Sequence, residues 1–269
     1  MNESELLARD FMRPFTTVSK DEQLPQAFWT LESAGETHLV VVHDDKPIGI
    51  ISYKDFLRVL TNRARRGTVS HLYVSSIMTT RLHTVTPETP ISEVAKKMLD
   101  KGISSMIVIG GEREKGIITK RDVLKHIQSL PLKSIKVGDV MNRHVITAPS
   151  GLSVTGAERL LQEKKISTLP IVEEGTLIGY LDVHILARFL IDLYLSSEQK
   201  HPDNIIRETT VGDIMKGLFY IFETDNLQTF AQKILRKRFK GAPVILSESN
   251  RKVIGIITET DIVRILSEI

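Results

Sequence analysis

Gly116-Ile117-Ile118-Thr119-Lys120-Arg121-Asp122 decides how this chain is read. A glycine and two isoleucines read as the end of a buried strand, and a threonine with an acid three residues on reads as the start of a helix. The string returns as Gly49-Ile50-Ile51-Ser52-Tyr53-Lys54-Asp55 and as Gly255-Ile256-Ile257-Thr258-Glu259-Thr260-Asp261. An altered copy stands between them, Gly179-Tyr180-Leu181-Asp182-Val183-His184-Ile185. A second marker opens each copy: Phe11-Met12, Ile77-Met78, Val140-Met141 and Ile214-Met215. The methionine precedes the glycine by 37, 38, 38 and 40 residues. Spacing this constant makes the chain an array of four repeats, with little room for a separate catalytic domain.

Around the second copy the plan of one repeat is plain. Thr86-Pro87-Glu88-Thr89-Pro90 is turn chemistry. Ile91, Val94, Ala95, Met98 and Leu99 then follow helical spacing, and Gly102 stops the helix. Ser105 to Ile109 reads as a buried strand, Gly110 to Lys115 as a turn, Gly116 to Ile118 as the partner strand, and Thr119 caps a closing helix. The first repeat shows Leu39 to Val42 and Pro47 to Ile51 about Asp44-Asp45-Lys46. The third shows Leu169 to Val172 and Thr176 to Leu181, the fourth Ala242 to Leu246 and Val253 to Ile257. The expected modules are 1–66, 67–132, 133–200 and 201–269. One such unit is too small to bury an adequate core, so one is expected to pair with two and three with four. The stretches Thr61 to Val74 and Ser196 to Thr210 read as linkers.

The chain has 269 residues, 41% of them hydrophobic and 26% charged, with a net charge of +3, which suits a soluble protein and demands no polyanionic partner. It has no cysteine, which removes disulfides and thiolate ligands and is compatible with a cytoplasmic location. Met1-Asn2-Glu3-Ser4-Glu5 does not read as a secretory signal, and Ile185 to Leu195, broken by Arg188 and Asp192, is too short to span a membrane. The eight histidines show no metal-ligand spacing, and no Walker, Gly-x-Gly-x-x-Gly or Gly-x-Ser-x-Gly motif occurs, so no metal, cofactor or catalytic residue is expected. Trp29 lies at a spacing expected of core. Arg63, Arg65 and Arg66 read as a solvated linker or as a grip on phosphates. Adjacent aromatics for base stacking are missing, so nucleic acid is not the expected partner.

The junction itself admits two readings. A hydroxyl (Ser52, Thr119, Thr258) and a carboxylate (Asp55, Asp122, Asp261) at a helix start can hold a phosphate and a ribose diol, with the isoleucines against adenine. Lys54 and Arg121 could reach a phosphate, and Thr260 holds the same place in the fourth repeat. The same [Ser/Thr]-x-x-Asp is equally a capping box that needs no ligand. At the altered copy Asp182 can still cap, but Ile185 cannot accept from a ribose, so that site is expected to be lost.

These markers, with Val211-Gly212-Asp213-Ile214-Met215 and the strands Leu169-Pro170-Ile171-Val172 and Ala242-Pro243-Val244-Ile245, resemble the CBS domain, a small βαββα module. Four in tandem resemble the γ subunit of AMP-activated protein kinase and stand-alone archaeal CBS proteins. The resemblance implies an α/β (α+β) chain whose four modules form two pseudo-twofold pairs in a disc. It implies clefts between paired modules for AMP, ADP, ATP or an S-adenosylmethionine-type ligand, and an energy-sensing role toward a protein partner such as a kinase, transporter or enzyme, with a homodimer possible. Carried over, Ser52 and Asp55 would work with Thr84, Val85, Ser104 and Ser105; Thr119 and Asp122 with Thr17, Val18, Thr37 and His38; Thr258 and Asp261 with Ile146, Thr147, Ser167 and Thr168. Family members that grip phosphate tightly have His-Arg before the second strand, where this chain has Thr37-His38, Ser104-Ser105, Ser167-Thr168 and Lys240-Gly241. The alternatives are a structural or nucleic-acid-associated adaptor working through the basic linker, and a regulatory fragment of an enzyme.

Overall fold

A computed structural model describes residues 6–61, 69, 71–111, 115–127, 130, 132, 134–196, 202–237 and 239–268. Arg63, Arg65 and Arg66 therefore lie outside the described residues, as does Met1 to Glu5. Module one runs α1 (Ala8–Phe11), β1 (Thr17–Ser19), α2 (Leu24–Ser33), β2 (His38–His43), β3 (Lys46–Ser52) and α3 (Tyr53–Leu60). Module two begins with a 3-10 turn, Val74–Ser76, then β4 (Thr84–Val85), α4 (Ile91–Asp100), β5 (Ser105–Ile109), β6 (Lys115–Thr119) and α5 (Lys120–Lys125). Module three has α6 (Val137–Val140), α7 (Val154–Glu163), β7 (Thr168–Glu173), β8 (Thr176–Asp182) and α8 (Val183–Leu195). Then follow α9 (Pro202–Glu208), α10 (Val211–Ile214), β9 (Ile221–Phe222), α11 (Leu227–Lys237), β10 (Gly241–Ile245), β11 (Val253–Thr258) and α12 (Glu259–Leu266).

Three modules carry a three-stranded sheet in which the first strand runs parallel to the second and the second antiparallel to the third. Module three has only the β7–β8 hairpin, and its first strand is reduced to a single bridge, Ala148 with Ile171. Pro149 follows and has no N–H to extend the ladder. The hairpin turns hold left-handed residues, Asp44 and Asp45 at φ 49 and 59 and Glu174 and Gly175 at 48 and 78. Asp and Gly tolerate that region, which two-residue hairpin loops need. Gly102, at φ 63, ends α4 as expected. Pro202–Glu208 is a helix, which corrects the reading of that stretch as linker.

The chain divides into two compact units. Unit one comprises Met1–Phe15, His83–Val145 and Phe219–Ile269; unit two comprises Thr16–Leu82 and Ile146–Leu218. In unit one, α12 packs on α4 and α5, and Val94, Met98, Ile118, Leu124, Phe230, Ile234, Val244 and Ile257 share one core. In unit two, α3 packs on α8, with Phe56, Leu57, Leu60, Leu186 and Leu190 buried. The bodies of modules two and four thus fall in one compact unit and those of modules one and three in the other.

The opening segments are exchanged. Each marker methionine packs on the marker glycine of its neighbouring module: Met12 on Gly116, Met78 on Gly49, Met141 on Gly255 and Met215 on Gly179. A Cβ at Gly49 or Gly116 would stand 2.8 Å from Met78 Sδ or the Arg13 carbonyl, so glycine is required by close approach. The residue after each methionine makes a two-way backbone pair beside the glycine: Arg13 with Ile117, Thr79 with Ile50, Asn142 with Ile256 and Lys216 with Tyr180, all at 2.9–3.1 Å. The two sequence markers are therefore one contact, repeated four times.

Candidate functional site

Each sheet's last strand ends in an extended N-cap residue: Ser52, Thr119, Asp182 and Thr258, with φ of −142, −113, −132 and −134. At the three intact junctions one carboxylate oxygen turns back on the cap. Asp122 Oδ2 accepts from the Thr119 N–H at 2.9 Å and its hydroxyl at 2.7 Å. Asp55 Oδ2 does so with Ser52 at 2.9 and 2.8 Å, and Asp261 Oδ2 with Thr258 at 2.8 and 2.8 Å. The capping box is thus built at all three.

The other oxygen, Oδ1, faces a cation one helical turn on. Arg58 reaches Asp55 at 3.1 Å, Lys125 reaches Asp122 at 2.9 Å and Arg264 reaches Asp261 at 2.8 Å. These residues escaped the sequence reading, yet a base nine residues after every marker glycine was a visible signal: Arg58, Lys125, Arg188 and Arg264. The exchanged segment adds a further donor. Arg13 Nε donates to Asp122 Oδ1 at 2.8 Å, and Thr79 Oγ1 lies 3.4 Å from Asp55 Oδ1. Asn142, in the fourth junction, turns its Oδ1 to the His144 N–H at 2.9 Å.

These surroundings separate the carboxylates electrostatically. Burial raises both Asp55 and Asp122, but at Asp122 the Thr119 hydroxyl and the Arg13 and Lys125 charges outweigh it and hold the group below its ordinary value. At Asp55 burial prevails over Ser52 and Arg58, and the group is raised.

The altered junction keeps the forward half of this cap, which Thr119 makes to the Asp122 N–H at 3.2 Å, and lacks the backward half. Asp182 Oδ1 accepts from the Ile185 N–H at 2.8 Å, as expected of a capping Asp, and Ile185 is buried. Arg188, left without a junction carboxylate, pairs with Asp192 at 2.9 Å and Glu32 at 3.0 Å and lies 4.7 Å over the Trp29 ring. Trp29 is 38% exposed, which corrects its assignment to the core. The buried stripe of α2 runs through Leu24, Ala27, Phe28 and Leu31, and position 29 turns away from it. Glu32 also accepts from Tyr53 and from His184 Nε2 at 2.9 Å, so His184 is only half-exposed. Burial would raise Glu32, but its His184, Tyr53 and Arg188 partners bring it down to about 2. A groove of about 640 Å³ lies here, lined by Glu22, Gln26, Thr30 and Ser33 with Trp29, Glu32 and Arg188, and contains no junction carboxylate.

The remaining predicted residues are placed as follows. Arg121, read as a phosphate cation, donates to the Leu235 and Phe239 carbonyls at 2.9 and 3.2 Å and lies 3.5 Å from buried Glu259. Burial raises Glu259 against the pull of Lys240 and Arg121. Thr260 accepts from Lys120 at 3.0 Å, which links α5 to α12. Lys54 is exposed. Val18 and Val85 are buried, while Thr17, Thr84 and Thr147 are exposed and Ile146 is half-buried. Thr37 Oγ1 lies 2.8 Å from His38 Nδ1. The Ser104 and Ser167 carbonyls accept from the first helical N–H of their own modules, Lys120 and Val183. Ser105 is half-buried, and the buried Thr168 hydroxyl has no hydrogen-bond partner among the described residues. Each grouping implied by the resemblance has its Asp in one unit and its four companions in the other.

Among the described residues no cluster suits a metal ion, and no helix is long and apolar enough to cross a membrane. The family model described as CBS domain matches residues 8–62, 74–129, 137–192 and 211–268. The crystal structure of protein MJ1225 from Methanocaldococcus jannaschii, proposed as an archaeal homologue of g-AMPK, superimposes with a TM-score of 0.81, covering 97% of this chain and 99% of that one at 22% identity. An uncharacterised conserved protein of Pyrococcus horikoshii gives 0.66 over 97% and 100% at 20% identity. In sequence, the chain is 26% identical to the uncharacterised M. jannaschii protein MJ1404 over 277 residues, 98% of this chain and 62% of that protein. It is 34% identical to an inosine-5'-monophosphate dehydrogenase of Thermoplasma acidophilum over 136 residues, 51% of this chain and 25% of the dehydrogenase. The chain thus spans less than two thirds of either curated relative.

Proposed function

This chain belongs to the CBS-domain family, and on that premise we propose that it is a non-enzymatic regulatory sensor. It binds adenine nucleotides at its intact junctions and signals their occupancy to a protein partner. One observation carries the reading: three times, a Ser or Thr hydroxyl, a carboxylate and a cation converge on one helix start. Those are the acceptor a ribose diol needs and the cation a phosphate needs, in one place. Ligand occupancy moves a partner only if it favours one conformation over another. Unit two then contributes the Asp55 site and unit one the Asp122 and Asp261 sites, while the Ile185 junction stays empty. Titration of the full chain saturates at no more than three nucleotides.

Calorimetry with AMP, ADP, ATP and S-adenosylmethionine tests this and ranks the ligands. An absence of heat and of thermal shift with all four would sink it. The adaptor reading rests on Arg63, Arg65 and Arg66, outside the described residues, and no structural observation favours it.

A further inference from the structure

We infer that the residue following each marker methionine sets the ligand charge its junction accepts, and that Arg13 makes the Asp122 junction selective for phosphorylated nucleotides over neutral nucleosides. This rests on the proposed nucleotide site and specifies it. The four positions are equivalent in backbone, each held by the same two-way pair beside its neighbour's glycine. Only the side chain differs: Arg13, Thr79, Asn142 and Lys216.

At Asp122 both oxygens are occupied, Oδ2 by Thr119 and Oδ1 by Arg13 and Lys125, and the carboxylate side chain is 2% exposed. A ribose reaching Oδ1 must therefore displace a cation, and Arg13 is the more enclosed of the two, 23% exposed against 47% for Lys125. A neutral nucleoside offers the released guanidinium nothing, and an uncompensated charge near a buried site is costly. A nucleotide offers its phosphate, so Arg13 exchanges one anion for another as Asp122 turns to the ribose. At Asp55 the equivalent neighbour is Thr79, 3.4 Å away and uncharged, and at Asp261 it is Asn142, turned to His144. A nucleoside there meets one cation, Arg58 or Arg264, the counterpart of Lys125, and no second one from the exchanged segment. The lowered Asp122 and raised Asp55 agree with this division.

The test is calorimetric titration of the full chain with adenosine and with AMP, before and after Arg13→Met, which keeps the stem and removes the donors. On the unaltered chain AMP should fill one site more than adenosine. In Arg13→Met adenosine should gain that site, and AMP should lose roughly tenfold or more in affinity for it. Equal stoichiometry of the two ligands on the unaltered chain overturns the inference without need of a variant. So does an adenosine stoichiometry unchanged by Arg13→Met while AMP still binds. Absence of binding by either ligand overturns the nucleotide reading and this inference together.

Discussion

The Asp122 and Ile185 junctions cap the same kind of helix, one reciprocally and the other in the forward sense alone. At Asp122 the third helical residue reaches back to the cap N–H while the Thr119 hydroxyl reaches forward to the third N–H at 3.2 Å; at Asp182 the cap residue reaches forward to the third N–H and no carboxylate stands at position 185 to reach back. Either bond satisfies an otherwise orphaned donor, so the fold requires only one carboxylate, on either side. Loss of the backward bond leaves the fold intact and removes the acceptor from the place a ligand would meet. It also frees Arg188, whose equivalents Lys125, Arg58 and Arg264 face the junction carboxylate, and which instead holds Glu32. In the nucleotide reading, helix capping and ligand chemistry are separable functions of one motif, and module three would retain only the first.

The largest expected effect breaks the intact side of this comparison. Asp122→Ala removes the cap and leaves Arg13 and Lys125 without their carboxylate. The cap accounts for about 1 kcal/mol, and the stranded partly buried cation brings the total to about 2–3 kcal/mol. Urea denaturation of the ligand-free chain measures this, and a loss well under 1 kcal/mol would show that Arg13 relaxes freely. In the nucleotide reading the same variant weakens AMP at that site by about ten- to a hundred-fold, through loss of a charge-assisted bond. Next comes the contact both junction types share. Gly179→Ala places a Cβ 2.5 Å from the Lys216 carbonyl and should cost about 1–3 kcal/mol by overpacking. Thermal unfolding unchanged by that substitution would remove close approach as the reason for the glycine.

Much of this was legible because the repeat prints each element four times. The β2–β3 and β7–β8 hairpins, the α4 stop at Gly102 and the caps at Thr119 and Asp182 follow from local chemistry. What escaped was long-range. Nothing local to Met12 says that it meets Gly116, or that Arg13 meets Asp122, over a hundred residues away. Nothing local to Arg121 says that α11 presents the Leu235 carbonyl to it. The cations at 58, 125, 188 and 264 were printed in the repeat and passed over because each looks like an ordinary solvated helix face.

The reuse of Arg188 can be tested by pH. The folded Glu32 carboxyl lies at about 2 against an ordinary 4.5. Its ionised form therefore stabilises the fold above about pH 4.5, and that contribution fades as pH falls toward 2. Because Arg188 is 45% exposed, the contribution is discounted to about 1–2 kcal/mol. Glu32→Gln should be less stable than the parent by that amount at neutral pH. The gap should narrow at pH values between the two limits, and one that stays constant on acidification would show that the Glu32 charge is not what matters.

The smallest net effect is expected from rebuilding the altered junction. Ile185→Asp alone sets a second carboxylate beside Asp182, itself 1% exposed, and two like charges at one helix start should cost about 1–3 kcal/mol. Adding Asp182→Thr removes the conflict and writes the intact motif, Thr-x-x-Asp, with Arg188 already in place one turn on. The double variant should recover to within about 1 kcal/mol of the parent, since the reciprocal Thr-x-x-Asp cap replaces the single forward bond of Asp182. Arg188 would then choose between the introduced carboxylate and Glu32, and its withdrawal from Glu32 should weaken the pH dependence described above. In the nucleotide reading the double variant also gains a site, with Lys216 in the position of Arg13, so AMP should fill it in preference to adenosine. Equilibrium unfolding of the single and double variants decides the structural part. A double variant as unstable as the single one would mean that the module-three junction differs from the others by more than its two substituted residues.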